Sequence, residues 1–297
     1  MMSRDSGFGA RGSRLGAWGS GLGTRGSGDR DRPRYPRARK RFGQHFLERA
    51  WVDKLIAALG ASRDDTFLEI GPGRGALTLE LAPCVARVVA VEIDRDLAAA
   101  LRAHALPNVR VVTGDFLDVD LDDILRDEPR PLRVIGNLPY NVASPILFRL
   151  VHSAGNGRRF RDATLMLQKE VADRIAAPTG TPGYGALAIQ VGLLADVDRL
   201  LTLPPGAFRP APKVTSAVVR LRFRAPVAEV GNPAAFERVV RGMFRQRRKT
   251  LLNAVGPVAE SFGRSAAQVI DIAGLDSSRR PETLTVHEVA RLTRAML

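Results

Sequence analysis

Thr66-Phe67-Leu68-Glu69-Ile70-Gly71-Pro72-Gly73-Arg74-Gly75 is the stretch that decides the fold. Five strand-forming residues run into a cluster of glycines, and a helix to Leu81 follows, so the segment predicts a strand, a tight loop and a helix opening at its end. A Gly-x-Gly alone is weak evidence of a ligand. A dinucleotide site would space its glycines Gly-x-Gly-x-x-Gly to seat a pyrophosphate. Here the third glycine comes one residue early, which suits a nucleoside without phosphates.

The same alternation continues outward. Arg87 to Val91 predicts a second strand with a helix from Asp94 to about Ala103; Val109 to Thr113 a third strand, Leu132 to Ile135 a fourth, and Ala163 to Leu167 a fifth. A helix with Val171, Ile175 and Ala176 on its apolar side follows, then a loop from Pro178 to Gly183 and a buried helix near Ala186 to Ala195. That apolar run is broken by Gln190 and is too short to span a bilayer, so no transmembrane helix is expected. Val197 to Leu203 and Ser216 to Phe223 complete the strands. In the last one, Val218, Val219, Leu221 and Phe223 alternate with arginines, which suggests an edge or hairpin position. Upstream, a helix from about Glu48 to Leu59 carries Trp51, Leu55, Ile56 and Leu59 on one face and is closed by Gly60. Strands alternating with helices indicate a doubly wound, mostly parallel α/β sheet.

In such a sheet ligands bind outside the carboxyl ends of the strands. Glu92 ends the second strand, where its carboxylate could accept both hydroxyls of a ribose; the competing reading is a surface acid. Asp115, beside Phe116, ends the third, where it could take an exocyclic amine while the ring packs; the alternative is an Asx-turn or helix cap. After the fourth strand and the Gly136 hinge, Asn137-Leu138-Pro139-Tyr140 offers an amide, a fixed bend and an aromatic face, a combination suited to a flat, amine-bearing base. It could equally be a turn whose tyrosine only packs.

The chain has 297 residues, 45% of them hydrophobic, enough for a large domain and a smaller one. Lys and Arg number 45 against 31 Asp and Glu, a formal charge of +14 that favours a polyanionic partner, nucleic acid first. The lone Cys84 excludes an intramolecular disulfide and a cysteine-based zinc site, and is expected as a small buried residue. The four histidines, His45, His104, His152 and His287, lack a paired spacing, so no metal site is expected. Residues 1–38 are rich in Gly, Ser and Arg and read as a disordered basic tail. A linker from Ala225 to Pro233 precedes a helical segment. Its first helix, about Ala234 to Arg248, sets Phe236, Val240, Met243 and Phe244 against Arg238, Arg241, Arg245 and Arg248, a face without interleaved acid that suits phosphates. Arg247 and Lys249 extend the patch.

These motifs resemble class I S-adenosylmethionine-dependent methyltransferases, and more closely the bacterial small-subunit (16S) rRNA adenine N6,N6-dimethyltransferase family. The resemblance rests on Arg41-Phe42-Gly43-Gln44-His45-Phe46-Leu47, Asn137-Leu138-Pro139-Tyr140-Asn141, Gln168-Lys169-Glu170-Val171, Phe208 through Ser216, and Phe244-Arg245-Gln246-Arg247-Arg248-Lys249-Thr250-Leu251. It covers residues 39–297. It implies a seven-stranded Rossmann-like catalytic domain over 39–228 and a small all-helical RNA-binding domain over 229–297. It also implies S-adenosyl-L-methionine as cofactor, bound by His45, Leu47, Gly71, Glu92, Asp115 and Asn137, with Gln44, Gly73, Ile93 and Phe116 nearby. The target adenine would stack on Tyr140 and Phe208. Asn137 and the Leu138 carbonyl would orient its amine, with Pro139 fixing the bend. The implied partner is 16S rRNA in the immature small subunit, bound through Arg238, Arg241, Arg245, Arg247, Arg248 and Lys249 by a cytoplasmic, monomeric enzyme. A macrolide-resistance methyltransferase acting on 23S rRNA, and an assembly or transcription factor that uses the fold without essential catalysis, remain as alternatives.

Overall fold

The computed structural model describes residues 45–154 and 158–297. Gln44, the basic lead-in before it and the 1–38 tail lie outside the described residues. Among the described residues, nine strands form two sheets. The smaller pairs β1 (Phe46–Leu47) antiparallel with β8 (Phe208–Arg209). The larger contains β2 (Thr66–Ile70), β3 (Arg87–Glu92), β4 (Val109–Thr113), β5 (Leu132–Asn137), β6 (Phe160–Gln168), β7 (Ala195–Leu203) and β9 (Ser216–Phe223). Its order is β4-β3-β2-β5-β6-β9-β7, with the first five strands parallel and β9 antiparallel to both neighbours.

The central strands are nearly continuous runs of apolar residues because helices cover both faces. All five residues of β2 are buried. On one face α1 (Arg49–Leu59) buries Val52, Leu55 and Leu59 and ends at Gly60 in the left-handed region, φ 56°. Each such side chain contributes about 1.5–3 kcal/mol. After β2 comes the short helix α2 (Thr78–Leu81); after β3, α3 (Arg95–Arg102), capped by Asp94, whose carboxylate accepts from the backbone N–H groups of Asp96 and Leu97. The short α4 (Leu121–Ile124) and the full crossover helix α5 (Ala143–Ser153) have no counterpart in the sequence expectation. Beyond β6 lie α6 (Lys169–Ile175) and the buried α7 (Ala186–Leu194).

Two expectations are corrected here. The strand β9 is not at an edge: it forms a hairpin with β7 and sits inside the sheet, and β7 takes the edge. Cys84 is exposed, at the end of a 3₁₀ turn, with Sγ 3.6 Å from the Glu80 carbonyl.

The C-terminal segment folds as α8 (Pro233–Phe244), α9 (Leu251–Glu260), α10 (Ala266–Ile272) and α11 (Val286–Met296). Pro233 stands in the first turn of α8 behind the Asn232 cap, and Thr285 with Glu288 forms a capping box on α11. The core of this segment takes in Tyr184, Ala188, Ile189 and Leu193 as well as Phe236, Val240, Met243, Val255 and Val289. The other face of α7, Leu187 and Val191, belongs to the sheet's core. One helix therefore serves both layers.

Candidate functional site

The strand order reverses between β2 and β5, with β3 and β4 on one side and β6 on the other. A crevice opens at such a switch point. Here it is a cavity of about 340 Å³, within the range of small-molecule sites. Its wall includes His45, Leu47, Gly71, Gly73, Glu92, Ile93, Asp115, Phe116 and Asn137, together with Leu138, Pro139 and Tyr140. The sheet thus brings strand ends far apart in sequence to one place.

The glycine loop turns because Gly71 and Gly73 have φ of 65° and 60°. A Cβ on Gly73 would lie 3.1 Å from Phe46 Cε1, so any other residue there would be strained by the positive φ and would push the Phe46 ring back. Glu92 is fixed by two backbone donors: Gly73 N–H to Oε2 and Asp94 N–H to Oε1, each 2.8 Å. Each oxygen keeps a lone pair for a ligand. Burial pushes this carboxyl up; the hydrogen bonds from Asp94 and Gly73 oppose the shift, and the charge of Asp94 adds to it. Asp115 makes the Asx-turn, accepting from Leu117 N–H at 2.8 Å through Oδ1, and still lines the cavity.

The strand β5 continues through Asn137, which pairs with Met166, two residues beyond the expected end. The Asn137 Nδ2 donates to the His45 carbonyl at 2.7 Å. Its Oδ1 is therefore the atom left to accept from a ligand. The Leu138 N–H donates to the Met166 carbonyl at 3.3 Å. Tyr140 Oη is hydrogen-bonded to Ser216 Oγ at 2.7 Å, and its ring stacks on His45 with centroids 5.6 Å apart. Burial raises the Tyr140 phenol, against the Ser216 bond.

Phe208 is 1% exposed and packs in the core with Leu47, Leu55 and Val218, and it is not among the cavity-wall residues. In the β1–β8 pair Phe208 faces inward opposite Leu47, leaving Arg209 outward.

The sequence reading also passed over Glu69. This residue lines the cavity at 1% exposure, and its Oε2 accepts from Thr78 Oγ1 at 2.6 Å. Burial, countered by that hydrogen bond and reinforced by the charge of Glu92, pushes it up to about 7. A carboxyl in the middle of an otherwise apolar central strand was the available signal. Met166, Asn141 and Ile146 are further wall residues without a sequence cue. Among the described residues, three acids and no Lys or Arg line the cavity.

The expected basic face divides. Arg238 lies over the Phe262 ring, 3.5 Å from its centroid, and donates to the Ser261 carbonyl. Arg241 pairs with Glu237, an acid on the same face that the sequence reading overlooked. Arg247 is held by Glu282 and the Pro182 carbonyl, both at 2.8 Å. Arg245, Arg248 and Lys249 are exposed. The helix stops at Phe244, so these three project from the following turn rather than from a helical stripe.

With this geometry in place, comparison with known proteins decides the family. A family model described as ribosomal RNA adenine dimethylase matches residues 36–292. The chain belongs to the ribosomal RNA adenine dimethylase family. Relatives named ribosomal RNA small subunit methyltransferase A include those of Nitrosococcus oceani, 43% identical over 88% of this chain and 97% of the relative. That of Xylella fastidiosa is 40% identical over 87% and 96%. Among solved structures, the fold is similar to a dimethyladenosine transferase from Plasmodium falciparum, at 24% identity and a TM-score of 0.67 over 84% of this chain and 96% of the other. The 23S rRNA methyltransferase ErmE is 26% identical, with a TM-score of 0.60 over 84% and 99%. This adenine dimethylase fold therefore carries both the seven-stranded sheet and the helical segment. Among the described residues no group of acids, histidines and cysteines could hold a metal ion, and no helix is long and apolar enough to cross a membrane.

Proposed function

We propose that the protein transfers methyl groups from S-adenosyl-L-methionine to N6 of two adjacent adenosines in a 3′-terminal hairpin loop of 16S rRNA, acting in the cytoplasm on the immature small subunit. The observation that carries this reading is Asn137: its Nδ2 is tied to the His45 carbonyl, so its Oδ1 remains as an acceptor at the cavity wall beside the Tyr140 ring.

The residues fit a cationic nucleoside. The wall acids Glu69, Glu92 and Asp115 have no lysine or arginine among the lining residues, which suits a ligand with a net positive charge and disfavours one carrying phosphates. Glu92, at the end of β3, would hold ribose hydroxyls; Asp115 would accept an adenine amine, with Ile93 and Phe116 packing the ring; Gly71, Gly73, His45 and Leu47 would shape the remaining wall. Bound there, the cofactor supplies an electrophilic methyl group on its sulfonium.

The target amine is a weak nucleophile because its lone pair is delocalised into the ring. The Asn137 Oδ1 and the Leu138 carbonyl would accept its two protons and turn the lone pair out of conjugation, Pro139 would hold the bend, and Tyr140 would stack the base. This is catalysis by positioning. A base clamped in this way has left its stack, which favours a loop or single-stranded target. Arg245, Arg248 and Lys249 would meet the phosphates directly, whereas Arg238, Arg241 and Arg247 already have protein partners.

Mass spectrometry of rRNA from both subunits after incubation with the protein and labelled cofactor tests reaction, product and target together. Dimethyladenosine in the small subunit is expected, and the same product confined to 23S rRNA would favour the ErmE-like alternative. The Asn137→Ala variant should lose transfer by about 100-fold or more while still binding RNA. Substituting Arg245 and Arg248 by Ala should weaken RNA binding and lower its salt slope by about two charges; an unaltered slope would take this turn out of the interface.

A further inference from the structure

We propose that the His45 imidazole occupies the target base's place on Tyr140, and that an incoming adenine must displace it. The inference rests on the functional reading above, in which Tyr140 is the stacking platform. The two rings lie with centroids 5.6 Å apart and planes 25° apart, a stacked arrangement. A base inserted between them would need about 7 Å, twice the 3.4 Å rise of stacked bases. The space on that face of Tyr140 is therefore taken, and sandwiching would require His45 to move away in any case.

The surroundings separate what can move from what cannot. Tyr140 is anchored by the Ser216 hydroxyl at 2.7 Å, so the platform cannot swing to offer another face without losing that bond. The His45 main-chain carbonyl accepts from Asn137 Nδ2 at 2.7 Å, and the next two residues are paired in β1 with β8. Only the imidazole is lightly held, by one hydrogen bond from Nδ1 to the Pro210 carbonyl at 2.7 Å. Rotating the ring about its own side-chain torsions breaks that bond and the stack. The main-chain carbonyl that aims Asn137 stays in place. His45 thus has two roles at different atoms: its carbonyl positions the amide that would accept from the target amine, and its ring keeps the platform covered until a base competes for it. It is a positioning and specificity residue, since a base that stacks poorly would not displace the ring.

The test measures kcat and KM for immature small subunits, and cofactor affinity by calorimetry, on the wild type, His45→Asn and His45→Phe. Asn removes the ring, so KM for RNA should fall on the order of tenfold, the worth of one hydrogen bond and one ring contact that no longer have to be broken. Phe keeps a stacking ring and should leave KM unchanged or raise it. KM is compared at saturating cofactor, and the calorimetric affinity separates a change at the cofactor wall, which His45 helps to shape, from a change in base stacking. A higher KM for His45→Asn with a normal value for His45→Phe would show that the ring holds the base instead of yielding to it, and would overturn the proposal. Equal KM values in all three proteins would take the ring off the path and overturn it too. Failure of the wild type to methylate RNA would overturn the functional reading itself and the proposal with it, whereas an active wild type with unmoved KM sinks the proposal alone.

Discussion

At the amino end of the parallel sheet, Asp65 and Asp162 are buried against the Arg133 guanidinium; at the carboxyl end, Glu69 and Glu92 are buried more deeply still, with no cation beside them among the described residues. The first end is complete in itself. The Arg133 Nε donates to both oxygens of Asp162, Nη1 to Asp65 and the Gly60 carbonyl, and Nη2 to the Leu59 carbonyl, so one side chain ties two strands to the end of α1. Burial alone would push the Asp65 carboxyl up, but the Ser62 N–H, the Arg133 hydrogen bond and the charges of Arg133 and Arg161 hold it below the usual range. At the other end, burial wins and both glutamates rise. Shallower burial beside a cation lowers one carboxyl and deeper burial without one raises the others, which separates the two ends.

The largest expected effect comes from breaking the complete end. Arg133→Met removes the buried cation that both carboxylates share, leaving them the half-exposed Arg161, and should cost about 3–5 kcal/mol in denaturant unfolding. Replacing Asp65 and Asp162 as well, by Val and Leu, should recover most of that loss, since a buried ion network costs much of its attraction in desolvation. A loss under about 1 kcal/mol for Arg133→Met alone would mean that the two ends do not differ as described.

The carboxyl end responds to pH instead. With Glu69 at about 7 in the folded protein, the fold keeps a proton that the unfolded chain has lost. The ligand-free protein should therefore lose stability as pH rises from about 4.5 to 7, by about 3 kcal/mol in all, and level off above. Glu69→Gln should flatten that part of the curve. Cofactor affinity should rise over the same window in the wild type, because a cationic ligand prefers the ionised carboxylate. Thermal midpoints and calorimetric titrations between pH 5 and 8 measure both; a wild-type midpoint that does not fall would place Glu69 in the ordinary carboxylate range and erase the contrast.

How far the sequence could foresee this depended on whether neighbours in space were also marked in the chain. The strands β2 and β4 were legible residue for residue: burial of β2 on both faces leaves an apolar run bounded by turn residues, and β4, a partly exposed edge strand, is marked by its β-branched residues Val109, Val111, Val112 and Thr113. The place of Glu92, Asp115 and Asn137 on the cavity wall was legible because each lies at or just past the end of a strand. The interior place of β9 was not, since its arginines suggested solvent: Arg220 donates to the Ala58 and Leu59 carbonyls, and Arg222 pairs with Asp198 on β7. A strand can bury its stems while its guanidinium groups find carbonyls elsewhere. The inward place of Phe208 was not legible for the complementary reason, because the two-residue β1–β8 pair that buries it carries no periodic signal. The division of the arginines around α8 depended on Glu237, Phe262 and Glu282, partners fixed only by packing.

The smallest effect sharpens the comparison, because an arginine is present at the carboxyl end and does something else. Arg149 of α5 donates to the Leu117 and Val119 carbonyls and lies over the Phe116 ring, 5.6 Å from its centroid. It therefore braces from behind the loop that presents Asp115 and Phe116, and adds no charge to the cavity wall. Removing it should loosen the loop without unpairing a carboxylate. Arg149→Met is expected to weaken cofactor binding by about tenfold, the worth of hydrogen bonds from a charged donor, with kcat changed less than about twofold. Lysine, which can reach one carbonyl, should restore part of the affinity. A fall in kcat with unchanged cofactor affinity would place Arg149 on the target side. A loss of stability as large as that of Arg133→Met would make the two arginines equivalent, and the distinction between the ends of the sheet would no longer hold.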